Sequence, residues 1–566
     1  MRAKLRLSAI VLICASPFLA GCHNRSSSTH LRPPDPNFAF FSDITARAGI
    51  QYAWSIPGKR PLNILQTIGN GCAFLDFNND GNLDILLVGP APALYTGDGK
   101  GHFTDRSGEV GLTQLTGHFL GCAVGDYDND GSPDIYLTAF RGGALLHNES
   151  GHRLKQVPLA GQPWGTSAAF VETVSGSGRL DLVVANYARF GNEPGIDQLC
   201  EEKGASGKPV LTSCGPRHYK PIKAVVYRNL GQKFAPPEQL SMVDGRGLGV
   251  AACDFDDTGR QAVAFANDET AGNLLHNLGR GKFKDIGALS GTAYDRDGNV
   301  HGGMGIDWGD YDNDGRFDFF VSTFRNEPKS LYHNEGRGLF ADMGYPSGIA
   351  SPTFANVGFG CKFIDFDNDG WLDLVIANGH VQDNISEIDS AAAYRQSLQL
   401  FRNKGASGGG RVSFEQLSGM AGQALAKNIV GRGLAAGDYD NDGRVDLLVV
   451  DSEGTPMLLH NEVTNSNHWL GIRLIGTRSN RDGYGAILTI RCGARKLTRH
   501  CHSDGSYMSS SDRRVHFGLG EETVIDELMI RWPSGKTDRL KSFPVDRYVT
   551  VREGHVIPSN ASAESR

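Results

Sequence analysis

Five stretches of this chain place acids and amides at a spacing that suits a hard divalent cation. The first reads Asp76, Asn78, Asp80, Asn82 and Asp84, and the second Asp126, Asp128, Asp130, Ser132 and Asp134. The others are Asp310, Asp312, Asp314, Arg316 and Asp318; Asp365, Asp367, Asp369, Trp371 and Asp373; and Asp438, Asp440, Asp442, Arg444 and Asp446. Three or four carboxylates within nine residues repel one another when empty, and an ion that takes oxygen ligands relieves the repulsion. Positions 1, 3, 5 and 9 of each stretch supply side-chain oxygens, while position 7 varies freely, as a ligand acting through its backbone carbonyl would. Glycine at position 6 permits the tight turn. Position 12 carries no Glu and the flanks are strand-like. The expectation is therefore Ca2+ held in β-hairpin loops. A metal-free turn rich in Asp, Asn and Gly is the plain alternative, and five complete copies weigh against it.

The elements that position these loops follow from their flanks. Runs such as Ile85 to Val88, Phe319 to Val321 and Leu447 to Val450 are short, rich in β-branched and aromatic residues, and preceded by Gly-containing turns. Apolar on both faces, they suit strands packed between neighbouring sheets. A weakened copy reads Asp254-Phe-Asp256-Asp-Thr258-Gly259, with Ala262 in place of the last acid, and a fainter one spans Glu172 to Asp181. Both make doubtful metal sites. The seven loops start at 76, 126, 172, 254, 310, 365 and 438. Their mean spacing is about 60 residues, the size of a four-stranded propeller blade with its loops. A second marker, an apolar pair running into Asn, recurs at Asn148, Asn229, Asn277, Asn334, Asn403 and Asn461. The two long intervals hold insertions near 188–222 and 380–398, expected to project from one face. Phe38 to Tyr52 has the pattern of the strand that ends each repeat, so it is expected to complete the last blade and close the ring.

The chain begins with Arg2, Lys4 and Arg6, an apolar run to Leu19, and Leu19-Ala-Gly-Cys22. The charged start and short apolar run read as an export signal, and Leu-Ala-Gly-Cys resembles a bacterial lipobox, which implies lipidation of Cys22. Residues 1–22 are expected to be a lipoprotein signal peptide and 23–37 a flexible tether, placing the protein at the cell envelope on a lipid anchor. In an exported chain the local pairs Cys200 with Cys214 and Cys492 with Cys501 are plausible disulfides. Cys72, Cys122, Cys253 and Cys361 follow the repeat, so buried free thiols are expected there.

The Asp-x-Asp-x-Asp-Gly hairpins resemble FG-GAP/VCBS repeats, the blades of the integrin α-subunit propeller. His301-Gly-Gly-Met-Gly305-Ile-Asp-Trp-Gly-Asp310 and the Cys200…Cys214-Gly-Pro-Arg insertion resemble the cartilage acidic protein family more narrowly. Asn467-His-Trp-Leu470, Gly476 to Gly483, Gly505-Ser-Tyr507-Met-Ser, Phe517-Gly-Leu-Gly520 and Arg531-Trp-Pro-Ser-Gly535 resemble an ASPIC/UnbV domain. The chain is accordingly expected to be all-β: a seven-bladed propeller over 38–465, a small β-sandwich-like domain over 466–555 with Trp469 and Trp532 in its core, and a disordered tail over 556–566.

Three motifs touch on catalysis. Gly405-Ala-Ser407-Gly-Gly409 matches a nucleophile elbow but lacks a strand-to-helix context. His301-Gly-Gly-Met-Gly305 has an oxyanion-hole pattern but falls on an apolar strand. His500-Cys501-His502 offers transition-metal ligands, with both His on one strand face and Cys501 on the other. No catalytic residue is assigned. The net charge is −7; removing the three basic residues of the export segment gives −10, and five Ca2+ would bring it to about zero. Nothing in this balance suggests nucleic acid. The reading is an envelope-anchored, calcium-binding recognition or adhesion protein for a protein or glycan partner. The alternative is an enzyme or biosynthetic accessory protein using the central channel.

Overall fold

The computed structural model describes residues 40–191, 199–406, 411–417 and 422–555. The lipobox with Cys22, the tether, Ser407 to Gly409 and the 556–566 tail lie outside them. No helix among the described residues is long and apolar enough to cross a membrane.

Each acidic loop joins the first two strands of a four-stranded antiparallel unit. In the first unit these are Cys72–Leu75, Asp84–Leu87, Ala93–Gly97 and Phe103–Asp105. The same order repeats from His118–Gly125, Gln162–Val171, Gly247–Cys253, Ile306–Gly309 and Gly358–Ile364. The last unit takes Gly431–Gly437, Asp446–Asp451 and Met457–Asn461 from the end of the repeats. Its fourth strand is Phe41–Asp43, with Phe41 opposite Asn461 and Asp43 opposite Leu459. Among the described residues seven such units result, the second and third continuous through Trp164 opposite Phe140. Each innermost strand contacts the next, and the last contacts the first. The fold is a propeller closed by its N-terminal strand.

The first strands are buried on both faces because each packs between two neighbouring blades. Between the first and second blades lie Leu75, Leu86, Leu94, Cys122, Ile135 and Leu146. Between the fifth and sixth lie Phe320, Leu331, Cys361, Leu374 and Phe401. This is why apolar runs without alternation mark the repeat. Cys72, Cys122, Cys253 and Cys361 are buried free thiols in these seams.

The C-terminal module pairs a three-stranded sheet (Val515–Gly520, His468–Ile475, Arg547–Arg552) with a four-stranded one (Arg495–His500, Ile487–Cys492, Val524–Arg531, Thr537–Pro544). Trp532 is buried in its core, whereas Trp469 is buried against Gly443 of the seventh acidic loop. Its core is continuous with the propeller, where Leu470, Tyr484 and Leu488 join Tyr127, Phe170 and Leu182, and the described residues belong to one compact unit.

The structure corrects one disulfide expectation. Cys492 and Cys501 are separate buried free thiols, not a disulfide. Cys501 turns into the core with Sγ against the Asp482 and Arg513 carbonyls, and Cys492 lies at the far end of its hairpin, opposite Arg495 rather than opposite Cys501. Cys200 and Cys214 are joined by a disulfide.

Candidate metal centres and the module that caps them

In the five complete loops the backbone turns around the acids. Gly at position 6 takes a left-handed conformation, φ +90° at Gly81 and Gly370, and points its N–H back at position 1. Gly131 N donates to Asp126 at 2.8 Å, Gly370 N to Asp365 at 2.9 Å and Gly443 N to Asp438 at 2.7 Å. Position 5 accepts from the position-7 N–H, as in Asp130 from Ser132 at 2.7 Å and Asp314 from Arg316 at 2.8 Å. Position 9 pins the loop to its blade: Asp134 accepts from the Tyr127 and Asn148 N–H groups, and Asp446 from those of Tyr439 and Asn461. The side chains of Arg316 and Arg444 fold back on Asp314 and Asp442 and on the Asn334 and Asn461 carbonyls. In these two loops only the carbonyl of position 7 is therefore left to serve as a ligand.

The carboxylates are not balanced by the protein alone. Asp76 Oδ1, Asp310 Oδ1, Asp318 Oδ2, Asp365 Oδ1, Asp367 Oδ1 and Asp440 Oδ1 are buried without a hydrogen-bond partner. Burial, reinforced by neighbouring carboxylates, pushes Asp126 up to about 6, Asp84 and Asp438 to about 7, Asp446 to about 8 and Asp134 to about 9. Asp310, Asp365 and Asp373 move in the same direction for the same reasons. Orphaned buried oxygens in an all-oxygen set fit a calcium ion, which would replace the protons these acids otherwise hold. Positions 1, 3, 5 and 9 and the position-7 carbonyl would hold it.

The loops are not equivalent. In the second, fifth and seventh blades a His stands beside the acids: His147 Nδ1 lies 3.1 Å from Asp134, His333 Nδ1 3.1 Å from Asp318, and His460 Nδ1 3.2 Å from Asp446. In the sixth blade the same place holds Arg402, whose guanidinium is 2.7 Å from Asp367 and 3.4 Å from Asp369. In the two weak copies basic side chains stand against the acids. Asp254 pairs with Arg531 at 3.1 Å and Asp256 with His276 at 2.8 Å; Asp181 pairs with Arg228 at 3.2 Å.

Two amide positions do more than the sequence reading gave them. The recurring Asn of the third strand stitches adjacent blades: Asn334 Nδ2 donates to the Phe255 carbonyl of the preceding blade and to Phe317 of its own, and Asn403 and Asn461 do likewise. The Asn at position 4 has positive φ, 57° at Asn79 and 60° at Asn441. Its amide reaches the position-6 carbonyl of the next loop, as in Asn79 to Gly131 at 2.9 Å and Asn368 to Gly443 at 2.9 Å. The signal was visible, since position 4 is Asn in all five complete loops.

The C-terminal module sits on this loop face. The carbonyl oxygens of the same Asn residues accept from Arg473, Arg499, Arg514, His516 and the Arg481 N–H. Position 1 is met as well: Arg473 lies 3.4 Å from Asp76, and Tyr548 donates to Asp438 at 2.7 Å. A segment of the module then enters the central channel. Ser510 exchanges bonds with Cys72 and Phe74, the Met508 carbonyl accepts from Cys122, and Met508 N donates to Ser167. Asp504 accepts from Ala252 and Lys362, Ser506 pairs with Ile306, and Asp512 and Ser511 bond Ala436. Every blade contributes a partner. The channel that the enzymatic alternative needs open is thus filled from the loop side.

The remaining motifs carry no assembled chemistry. Gly303 and Met304 donate their N–H groups to the Asn267 and Ser322 carbonyls, so that stretch forms no anion hole. His500 and His502 share a face, their rings stacked at 3.9 Å with Cys501 on the other side, and parallel imidazoles do not direct their lone pairs to one ion.

Two family models match segments of this chain. A family model described as FG-GAP-like repeat matches residues 72–137, 254–321 and 310–376, and one described as ASPIC and UnbV matches 476–558. Mouse cartilage acidic protein 1 is 29% identical over 66% of this chain and 52% of its own length, and the human protein 29% identical over 66% and 51%. The chain thus matches about half the length of these relatives. Among solved structures, YCF48 bound to a D1 peptide aligns at TM-score 0.38 and 10% identity over 73% of this chain and 98% of that one.

Proposed function

We propose that this chain, which carries FG-GAP-like repeats and an ASPIC and UnbV domain, is a calcium-stabilised recognition protein held at the cell envelope by a lipid on Cys22. Its partner is a protein or glycan, taken on the propeller face away from the acidic loops. One observation carries the choice of face. The loop face is covered by the C-terminal module and the channel behind it is filled, whereas the opposite face bears the two insertions that depart from the repeat. The hairpin Cys200–Lys203 with Pro209–Thr212 and the segment around Gln382 to Glu387 meet there.

Calcium in this reading is structural. Its loops close the blades and offer the docking surface for the module. A site filled at 100 times its dissociation constant adds about 2.7 kcal/mol.

The test is a pull-down from envelope and extracellular-matrix fractions with the soluble chain starting after Cys22, with calcium and with chelator. A partner retained with calcium, and lost when Cys200 and Cys214 are both changed to Ser, is the expected result. A partner indifferent to that change but lost on altering the module's outer surface would move recognition to the module. No partner in any fraction would overturn the recognition reading.

A further inference from the structure

We propose that the channel mouth on the face away from the acidic loops binds a neutral pyranose at the tip of a glycan. The proposal rests on the reading that this face is the recognition surface, and it names the chemistry of that surface's deepest point.

The two insertions interlock over this mouth. Gln382 Nε2 donates to Glu202 at 3.2 Å, Thr212 Oγ1 to Asn384 at 2.9 Å, Asn384 Nδ2 to the Leu211 carbonyl at 2.8 Å, and Ala205 N to Glu387 at 2.8 Å. The Cys200–Cys214 disulfide ties the base of the hairpin. Beneath it lies a cavity of about 240 Å³. That is below the roughly 300 Å³ at which pockets for drug-sized ligands begin, so it suits one ring rather than a chain. Leu248, Met304, Phe359 and Tyr507 of the plug form its apolar wall, and Phe324 and Val381 stand half-buried at its opening.

The mouth has no excess charge with which to select an ion. Glu202, Asp268 and Glu269 open onto it, and three guanidinium groups surround it. Arg217 pairs with Glu269 at 2.8 Å from the solvent side. Arg246 bonds the Tyr219, Asp268 and Glu269 carbonyls. Arg432 lies 3.9 Å over the Phe359 ring and bonds the Thr67 carbonyl. Farther back, Lys329 and Glu327 offset each other.

What the mouth offers is hydrogen-bond acceptors. Each side-chain donor of the lining already gives a bond within the protein: Tyr187 to Asp268 Oδ2 at 2.6 Å, Tyr507 to the Ile68 carbonyl at 2.7 Å, Gln382 to Glu202 Oε1, Thr67 to the Asn63 carbonyl at 3.3 Å and Ser213 to the Cys214 carbonyl at 3.5 Å. Asp268 Oδ1, Glu202 Oε2 and Glu269 Oε1 accept from no described residue, and all three side chains are half-buried. An ionised carboxylate can only accept, so the ligand must bring several donors and no net charge. An apolar molecule would strip these oxygens of water and return no hydrogen bond. A pyranose brings hydroxyl donors around its edge, while the C–H groups of its faces suit the apolar wall.

The test is calorimetric titration of the full chain, calcium present, at pH 8, above the value of about 7 to which burial pushes Asp268. The probes are the methyl pyranosides of glucose, galactose, mannose and N-acetylglucosamine, whose capped anomeric oxygen stands for the rest of a chain. Tetrahydropyran-2-methanol serves as the ring without its hydroxyl set, and the methyl glycosides of glucosamine and glucuronic acid as charged counterparts. At least one neutral glycoside is expected to bind roughly tenfold tighter than tetrahydropyran-2-methanol, a difference of about 1.4 kcal/mol, and tighter than either charged counterpart. Asp268→Asn in the depth and Glu202→Gln at the rim should each weaken it by roughly tenfold; should the first fail to fold, the second still decides. No heat from any neutral glycoside at tens of millimolar, equal binding of tetrahydropyran-2-methanol, a charged counterpart that binds best, or an affinity unchanged in Glu202→Gln would overturn the proposal. A protein captured in the pull-down by a chain that fails this titration would leave the recognition reading standing and remove the saccharide site alone.

Discussion

Glu553 shows how one side chain fixes an irregular stretch. It accepts from the Thr477, Arg478 and Ser479 N–H groups at 2.8, 2.7 and 2.9 Å, and from the Ser479 and Ser534 hydroxyls. Burial pushes the carboxyl up, but the Ser534 hydroxyl and the three N–H groups pull it down further, to about 2. A carboxyl lowered in the folded state adds stability at pH values above its unfolded value, and this is lost as pH falls from about 4.5 toward 2. Glu553→Gln should therefore cost on the order of 2 kcal/mol at neutral pH and flatten the acid limb between pH 5 and about 2. Denaturant melts across that range measure both, and an unaltered acid limb would refute the assignment. No spacing rule marks Glu553 in the sequence, because its donors lie about 75 residues away. The recurring Asn residues were visible as a marker, but a marker does not say that one amide bridges two blades.

At the scale of the element, the acidic hairpin was the legible unit. Its Asp spacing, its Gly and its apolar flanks are local, so the turn, the burial of the strands and their repetition could all be read directly. The pattern gives no warning that loops alike along the chain differ in space. The sixth loop is complete by sequence, yet Arg402, from a strand some 30 residues later, takes the place that a His holds in the second, fifth and seventh blades. A fixed guanidinium 2.7 Å from Asp367 opposes a divalent ion in the same carboxylates. If the loops hold calcium, Arg402→His should tighten the sixth by roughly tenfold or more, since a unit charge near 4 Å is worth a few kcal/mol at intermediate dielectric. Calcium titration of the two proteins by calorimetry measures this. Identical isotherms would mean that Arg402 swings away on loading.

At the scale of the whole molecule, the sequence suggested two domains in a row and the structure makes them interdependent. The module reads as a separate sandwich because its strands alternate locally. Its docking depends on side chains scattered over 473–548 meeting loops from all seven blades, and no local pattern encodes that. The plug needs the inner strands to come very close. A Cβ on Gly71 would lie 1.7 Å from the Met508 carbonyl oxygen, with backbone rather than a flexible side chain in the way. Gly71 has ordinary backbone angles, so Gly71→Ala strains nothing except this contact. The substitution should expel Met508 and its neighbours while the seams between blades persist. Hydrogen exchange then separates two accounts of the ring. If the plug only fills space, exchange should quicken at Ser506 to Ser511 alone and the propeller's melting temperature should hardly move. If the plug ties the blades together, protection should fall at Cys72, Cys122 and Ala252 as well, and the melting temperature should drop by several degrees. The second outcome is expected, because the plug's bonds reach every blade and an open channel would leave the Cys122 N–H and Cys72 carbonyl without their partners at Met508 and Ser510.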